Sequence, residues 1–274
     1  MNTSNGDRLF SGSIAQLYEQ YLVPLIFDPY ARDLAGRLPS LQPSTVLEVA
    51  AGTGVVTRYM AAQLPDYVSI VATDLNQPML DHAISIGTSR SVTWRQADAM
   101  HLPFDDGTFD AVVCQFGAMF FPDKAAAFAE ARRVLRPGGT FLFNVWDRIE
   151  DNDFADCVTQ AMAGLFPMDP PRFLARLPHG SYDQREIATA LFDGGFTGTN
   201  VFETVTAQSR ADSPRIVAIA YCQGTPLRNE IVSRDDSLLA EATDIATSAI
   251  GQRFGVGQVT GKIQAIVIAA TRNA

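Results

Sequence analysis

Apolar positions recur along this chain at two spacings, and the changes between them mark out its elements. Ile14, Leu17, Tyr18, Tyr21 and Leu22 fall on one helical stripe, which Pro24 is expected to end. A second helix is predicted over 29–38, closed by Pro39. The pattern then shifts to short β-branched runs that alternate with helical stretches. Strands are predicted over 45–49, 68–73, 92–96, 111–115 and 140–146, with helices over 55–64, 78–86 and 124–134. The run 111–115 is almost unbroken in apolar character, as in a strand buried on both faces of a parallel sheet. Arg136-Pro137-Gly138-Gly139 reads as a turn ahead of the fifth strand.

Beyond Trp146 the rhythm changes. A helix is predicted over 154–165, then a loop through Pro167, Pro170, Pro171 and Pro178, a helix over 185–192 and a strand over 200–208. Helices over 213–223 and 233–253 precede the last strand, 263–270. Neither late helix could bury its apolar face alone, so the pair is read as a cap. The order predicts an α/β fold: a doubly wound, mostly parallel seven-stranded sheet with helices on both faces and the last strand antiparallel. Helices at the amino terminus and a helical cap complete it.

Composition narrows the function. A net charge of −9, with no basic cluster longer than Arg132-Arg133, argues against a nucleic-acid partner, since phosphate binding needs a basic face. Cys114, Cys157 and Cys222 form no CxxC pair, and His82, His101 and His179 are scattered, so no metal site is predicted. The longest apolar run, 263–270, falls short of the ~18 residues of a membrane helix. Residues 1–13 are polar, expected to fray, and lack a signal peptide's apolar core, which makes a cytoplasmic protein the expectation.

Candidate chemistry clusters where strands end. The first strand runs into Glu48-Val49-Ala50-Ala51-Gly52-Thr53-Gly54 and then a helix, a turn whose glycines let the backbone approach a ligand closely. A strand-to-helix turn without a ligand has the same look. Asp74 ends the second strand about 20 positions later, where an acid can accept both hydroxyl hydrogens of a ribose. It could equally cap the next helix. Asp98 follows the third strand and can accept the exocyclic amine of adenine, with Met100 and Leu102 as apolar walls. Three ligand-type groups thus meet at the carboxyl edge of consecutive strands, where open α/β sheets bind their ligands.

Taken together, residues 46–145 resemble the class I S-adenosylmethionine-dependent methyltransferases, in the broad type 11 group of ubiquinone and menaquinone biosynthesis. Glu48 to Gly54 is similar to the family's first motif, Asp74 to its ribose acid, Asp98 to its adenine acid, and Val134 to Gly139 to the turn before its fifth strand. Ala50 departs from the pattern, standing where the family has its first glycine. The resemblance implies S-adenosylmethionine as cofactor and S-adenosylhomocysteine as product, with no metal. It implies that Glu48 lies near the methionine amine, that Ala50, Gly52 and Gly54 flank the methionine and ribose, and that Leu75, Ala99 and Met100 complete the site beside the two acids. Gln115 and Phe116 would face the transferred methyl, and Phe120 and Phe121 would wall the acceptor pocket. In relatives an amino-terminal helix folds over the cofactor, a role that falls here to Tyr18 and Tyr21. The implied organisation is one domain over 14–274: amino-terminal helices (14–40), a cofactor-binding half (45–146) and a substrate or cap half (147–274).

Methyl transfer from a sulfonium asks mainly for alignment of three atoms, and a base only if the acceptor must lose a proton. His179, in the proline-rich loop, is the candidate base; His101 sits nearer the adenine motif. Asp169-Pro170-Pro171-Arg172 is similar to a motif of amino-group methyltransferases but lies far from the fourth strand that this motif follows. Phe166, Phe173 and Leu174 suggest a pocket for an apolar or aromatic small molecule. Two other readings stand beside this one: a non-catalytic relative that keeps the cofactor, and a nicotinamide-dependent oxidoreductase. The second lacks the third fingerprint glycine, since Thr57 takes its place.

Overall fold

A computed structural model describes residues 13–273. The expected frayed terminus lies outside them but for Ser13, which opens a helix. That helix does not end at Pro24. Helix α1 (Ser13–Leu17) passes into a π-helical segment (Tyr18–Phe27) and on into α2 (Asp28–Arg37). A proline inside an α-helix lacks a donor and presses its ring on the carbonyl four residues back. The wider π turn absorbs both, and the Asp28 N–H reaches back to the Val23 carbonyl.

The strands are β1 (Thr45–Val49), β2 (Ser69–Asp74), β3 (Thr93–Gln96), β4 (Phe109–Gln115), β5 (Leu135–Trp146), β6 (Val201–Ala211) and β7 (Val259–Thr271). They form one seven-stranded sheet in the order β3-β2-β1-β4-β5-β7-β6. The first five pair in parallel, and β7 runs antiparallel to both β5 and β6. Helices α3 (Val55–Gln63), α4 (Gln77–Ile86), α5 (Lys124–Val134), α6 (Asp153–Leu165) and α8 (Gln184–Asp193) flank it. Strand order reverses between β1 and β4, and this is where an open α/β sheet leaves a crevice. Among the described residues no helix is long and apolar enough to cross a membrane.

Several boundaries differ from those the pattern predicts. Arg136 to Gly139 is no turn before β5 but a bulge within it. Phe109 pairs with Leu135, and the next paired residues are Ala111 and Thr140. Gly138 takes φ 81° there, and a Cβ on Gly139 would meet the carbonyls of Arg136 and Asp110 at 2.9 Å. Strands β6 and β7 are longer than predicted because they zip into one ladder from Val201↔Ala269 to Ala211↔Val259, where polar residues face solvent at no cost to pairing. Helices α9 (Pro214–Gln223), α10 (Leu227–Arg234) and α11 (Leu239–Phe254) fill the connection between them. The predicted helix over 233–253 is broken, because the Asp235 side chain accepts from both the Ser237 N–H and hydroxyl and holds the chain out of helix. The proline-rich stretch also contains structure. Glu230 accepts from the N–H groups of Arg172 and Phe173 and pairs with Arg176, fixing a short helix α7 (Phe173–Arg176).

The period-two geometry of β5 sorts its side chains between two cores. Phe141 and Phe143 stack at 4.5 Å and pack on Phe128 of α5. Asn144 and Trp146 point to the other face, where Trp146 meets Phe27, Tyr30 and Phe116. At the opposite edge of the sheet, Asp110 ties three strands. Its carboxylate accepts from the Ser44 and Thr45 N–H groups, from the Thr45 hydroxyl and from Arg136. Burial works against its charge, but these donors outweigh burial and hold its pKa below the usual carboxylate value.

Asp110→Asn is therefore expected to lower stability by about 1–2 kcal/mol at neutral pH in chemical denaturation. The gap to the wild type should close on acidification, because the wild-type contribution is lost as pH falls through the depressed pKa. A gap that persists in acid would show that the carboxylate's charge is not what holds the strands.

Candidate functional site

The carboxyl ends of β1, β2, β3 and β4 surround a cleft enclosing about 850 Å³, open on one side. Two residues at the switch point shape it. Ala50, just past β1, has φ 56°, and Phe116, just past β4, has φ 48°. Both are left-handed without being glycine, so both adjacent strands turn away sharply where they end. Gly117 follows Phe116 because nothing larger fits: a Cβ there would come 2.5 Å from the Ala50 Cβ and 2.8 Å from the Cys114 sulfur. The Phe116 N–H is bound by the buried Asn144 Oδ1 at 2.8 Å, and its ring stacks on Trp146 at 3.8 Å and 6°.

Asp74 organises the other wall. Its Oδ2 accepts from the Gly52 N–H at 2.8 Å, and its Oδ1 accepts from the Asn76 N–H at 2.8 Å. One carboxylate therefore holds both the glycine turn and Asn76, the residue ahead of α4, without capping that helix, and an Oδ2 lone pair still faces the cleft. Burial raises its pKa, and these donors oppose the rise. Asp98 also lines the cleft, with Oδ1 accepting from the Met100 N–H at 2.9 Å. The segment that follows is pinned from α5: Glu130 accepts from the Leu102 N–H, and Arg133 donates to the carbonyls of Leu102 and Phe104.

Most of the residues singled out from the sequence meet here. Ala50, Gly52, Asp74, Leu75, Asp98 and Ala99 line the cleft, joined by Gln115, Phe116, Phe120, Phe121 and, from the π-helical segment, Tyr18. Gln115 Oε1 is buried at this wall without a partner. Four others do not line it. Tyr21 packs against the core. Met100 offers its N–H to Asp98, and its side chain does not line the cleft. Gly54 has φ 82°, and a Cβ there would strike the Trp94 ring at 2.9 Å, so its role is close packing of α3 on β3. Glu48 lies beneath the turn with its carboxyl taking the Thr57 hydroxyl, at the position where a dinucleotide fingerprint would have glycine. Asn76, Met79, Gly117 and Pro122 line the cleft without having been read from the sequence. The first two could have been found as the opening of the helix that Asp74 starts.

A second cavity, about 580 Å³, adjoins the first and shares Tyr18, Phe116 and Phe120 with it. Leu22, Ile26 and Phe27 of the π-helical segment close one side, and Tyr221 and Thr225 close another. His179 reaches this cavity from the loop after α7. It is 5% exposed, lies 5.8 Å from the Trp146 ring, and holds its Nδ1 2.8 Å from the Asp147 carbonyl. Burial lowers its pKa to about 4, so the ring is neutral at physiological pH. His101, by contrast, is exposed. Among the described residues no group of three or more His, Cys, Asp or Glu side chains could hold a metal ion.

Residues 47–143 match the family described as a methyltransferase domain. The chain is similar to a ubiquinone/menaquinone biosynthesis C-methyltransferase of Teredinibacter turnerae, 29% identical over 201 residues that cover 69% of this chain and 76% of the relative. It is 31% identical over 175 residues to a malonyl-[acyl-carrier protein] O-methyltransferase of Geobacter sulfurreducens, covering 64% of this chain and 63% of that relative, under two thirds of its length. In fold it is similar to phosphoethanolamine N-methyltransferase 2 of Haemonchus contortus in complex with S-adenosyl-L-methionine, with a TM-score of 0.57 at 16% identity, covering 100% of this chain and 61% of that one.

Two outcomes follow from the geometry. Ala50→Gly removes a methyl from a left-handed residue and should raise stability by about 1 kcal/mol. Gly117→Ala should lower it by about 2 kcal/mol, and the double variant should fall short of the sum by about 1 kcal/mol, since one of the two clashes is gone. Simple additivity in denaturant unfolding would break the proposed contact between the two turns. The second outcome concerns Glu48, whose burial raises its pKa from 4.5 to about 8. Between those values the folded chain holds a proton that the unfolded chain has lost, so stability falls as pH rises through the window. Glu48→Gln should flatten that fall, and an unchanged slope would mean the carboxyl is already ionised.

Proposed function

Since residues 47–143 form a methyltransferase domain and the chain is an S-adenosylmethionine-dependent methyltransferase, we propose that the strand-end cleft holds the cofactor and the adjoining cavity holds a small-molecule methyl acceptor. The observation that carries this reading is the shared wall: Tyr18, Phe116 and Phe120 line both spaces, so ligands filling the two would meet across those residues. S-adenosylmethionine supplies, when bound, a methyl group made electrophilic by a sulfonium sulfur.

The residues present fit that cofactor. Asp74 has an Oδ2 lone pair left for a ribose hydroxyl, while its Oδ1 already takes the Asn76 N–H and, at 3.3 Å, the Asn76 side-chain amide. Asp98 suits the amine of adenine, and Leu75, Met79 and Ala99 give apolar walls for its ring. Gln115 Oε1, buried and without a partner, suits an N–H or ammonium donor on the methionine side. Glu48 acts from below: through Thr57 it fixes α3 behind the turn and touches no ligand.

On the acceptor side the chain's own contribution is orientation and dryness. In-line alignment of acceptor and methyl contributes ~7–11 kcal/mol through proximity alone. Tyr18 is stacked on Phe27 at 4.9 Å, which fixes it between the two spaces. His179 Nε2 is the group placed to take a proton from an acceptor that must lose one. The domain expectation, 14–274 as one unit with a cofactor half and a cap half, is part of this proposal.

Titration calorimetry with S-adenosylmethionine and S-adenosylhomocysteine tests the cofactor site. Asp74→Asn keeps an acceptor for one backbone N–H but loses the charge, and should weaken both ligands about 10–100-fold. A folded wild-type chain that binds neither ligand would sink the proposal.

A further inference from the structure

Among the described residues no Asp, Glu, Lys or Arg side chain lines the second cavity. An acceptor bearing a carboxylate, a phosphate or an ammonium would enter it with no counter-charge, and burying an unpaired charge is strongly unfavourable. The walls are instead aromatic, from Tyr18, Phe27, Phe116, Phe120, Trp146 and Phe173. Phe116, on the boundary shared with the strand-end cleft, stacks face to face on Trp146 at 3.8 Å. Such a surface favours a flat ring through stacking and edge contacts.

Most polar atoms on the wall are already used. The Asn152 amide donates to the carbonyls of Asp147, Arg148 and Gln264, and its oxygen accepts from the Gln264 N–H. The Thr225 hydroxyl donates to the Tyr221 carbonyl and accepts from the Leu227 N–H. The Tyr221 hydroxyl, which can donate or accept, and His179 are the exceptions, and only His179 offers a group that solely accepts. A carbonyl only accepts, so the contact with Asp147 requires the proton on Nδ1 and leaves Nε2 with a lone pair. Among the described residues Nε2 has no protein partner. An uncharged box with an open lone pair takes a neutral donor.

Resting on the two-cavity reading above, we infer that the acceptor is an uncharged aromatic molecule with a free hydroxyl group, and that this hydroxyl donates to Nε2 of His179. The inference separates this chain from enzymes whose acceptors carry an acid or a phosphate, whatever the likeness in fold. It also gives the loop after α7 a purpose: Glu230 fixes α7, and the Asp147 carbonyl fixes the imidazole's orientation.

The test uses the full chain loaded with S-adenosylhomocysteine and three probes of one size, 2-naphthol, 2-methoxynaphthalene and 2-naphthoate, titrated by calorimetry at neutral pH. 2-Naphthol should bind at least 10-fold more tightly than the methyl ether, and the naphthoate should show no measurable binding. His179→Asn keeps a donor for the Asp147 carbonyl but removes the acceptor. It should weaken 2-naphthol about 10-fold and leave the methyl ether and S-adenosylhomocysteine unchanged. A readout on the wild type guards against a variant that fails to fold: the ¹⁵N resonance of His179 Nε2 should move with 2-naphthol and stay in place with the ether. Naphthoate binding as tight as naphthol, equal affinity for naphthol and its ether, an unmoved resonance, or no naphthol binding to the loaded chain each overturn the inference. Failure to bind S-adenosylhomocysteine overturns instead the reading on which it rests.

Discussion

Two backbone reversals at the centre of the sheet set the terms for everything around them. Strands β1 and β4 lie side by side, and each ends in a left-handed residue that carries a side chain, Ala50 and Phe116. L-residues resist that conformation, so it persists only where the surroundings over-determine it. Here they do: Asn144 holds the Phe116 N–H, the Phe116 ring is stacked on Trp146, and Gly117 leaves room for the Ala50 methyl. The two chains diverge, and the space between them is the floor of the cleft. The same reversal turns the Phe116 ring toward the second cavity, so one local constraint creates both spaces and the partition between them.

The charged groups near this floor are arranged with little positive charge to offset them. Glu48 and Asp74 are both buried below or beside the turn, and burial pushes both toward their protonated forms. Arg58 is the nearest cation. It donates to the Thr53 carbonyl in the turn and pairs with Glu19 of the π-helical segment at 2.6 Å. Glu48, protonated at neutral pH, adds no charge there, but Asp74 and Asp98 line the cleft and among the described residues no Lys or Arg does, which favours a positively charged ligand. The second cavity has no such preference. The division of labour between the spaces is therefore electrostatic as well as spatial.

Much of this could be read from the residues before any coordinates. β1 and β4 are short, apolar and bounded by small residues, and such runs in a parallel sheet leave little ambiguity. Asp74 and Asp98 were legible because each ends a strand, and strand ends converge. What escaped was set by tertiary context. Pro24 looks like a stop, but a π turn carries the helix past it, and packing of Leu22, Leu25 and Ile26 in the core sustains that turn. The Arg136–Gly139 bulge looks like a turn because its glycines relieve crowding against β4, not because the chain reverses. Gly54 and Glu48 sit in the right motif yet serve packing, since a motif fixes the backbone path and not which side of it faces the ligand. The second cavity draws on Leu22, Trp146, His179 and Tyr221, which no periodicity links. His179 announced itself by its chemistry, and Phe173 and Leu174, but not Phe166, by their apolar character.

Tyr18, Phe116 and Phe120 belong to both cavities at once, and a shared partition has a thermodynamic corollary. Any shift of those rings that accompanies filling one space changes the affinity of the other, and linkage requires the factor to be the same in both directions. With the cofactor in the cleft and the acceptor in the second cavity, as proposed, those three aromatic rings would touch the one and report on the other. Order of arrival, release of the spent product and retention of the methylated one become expressions of a single coupling, set by how rigidly those rings are held.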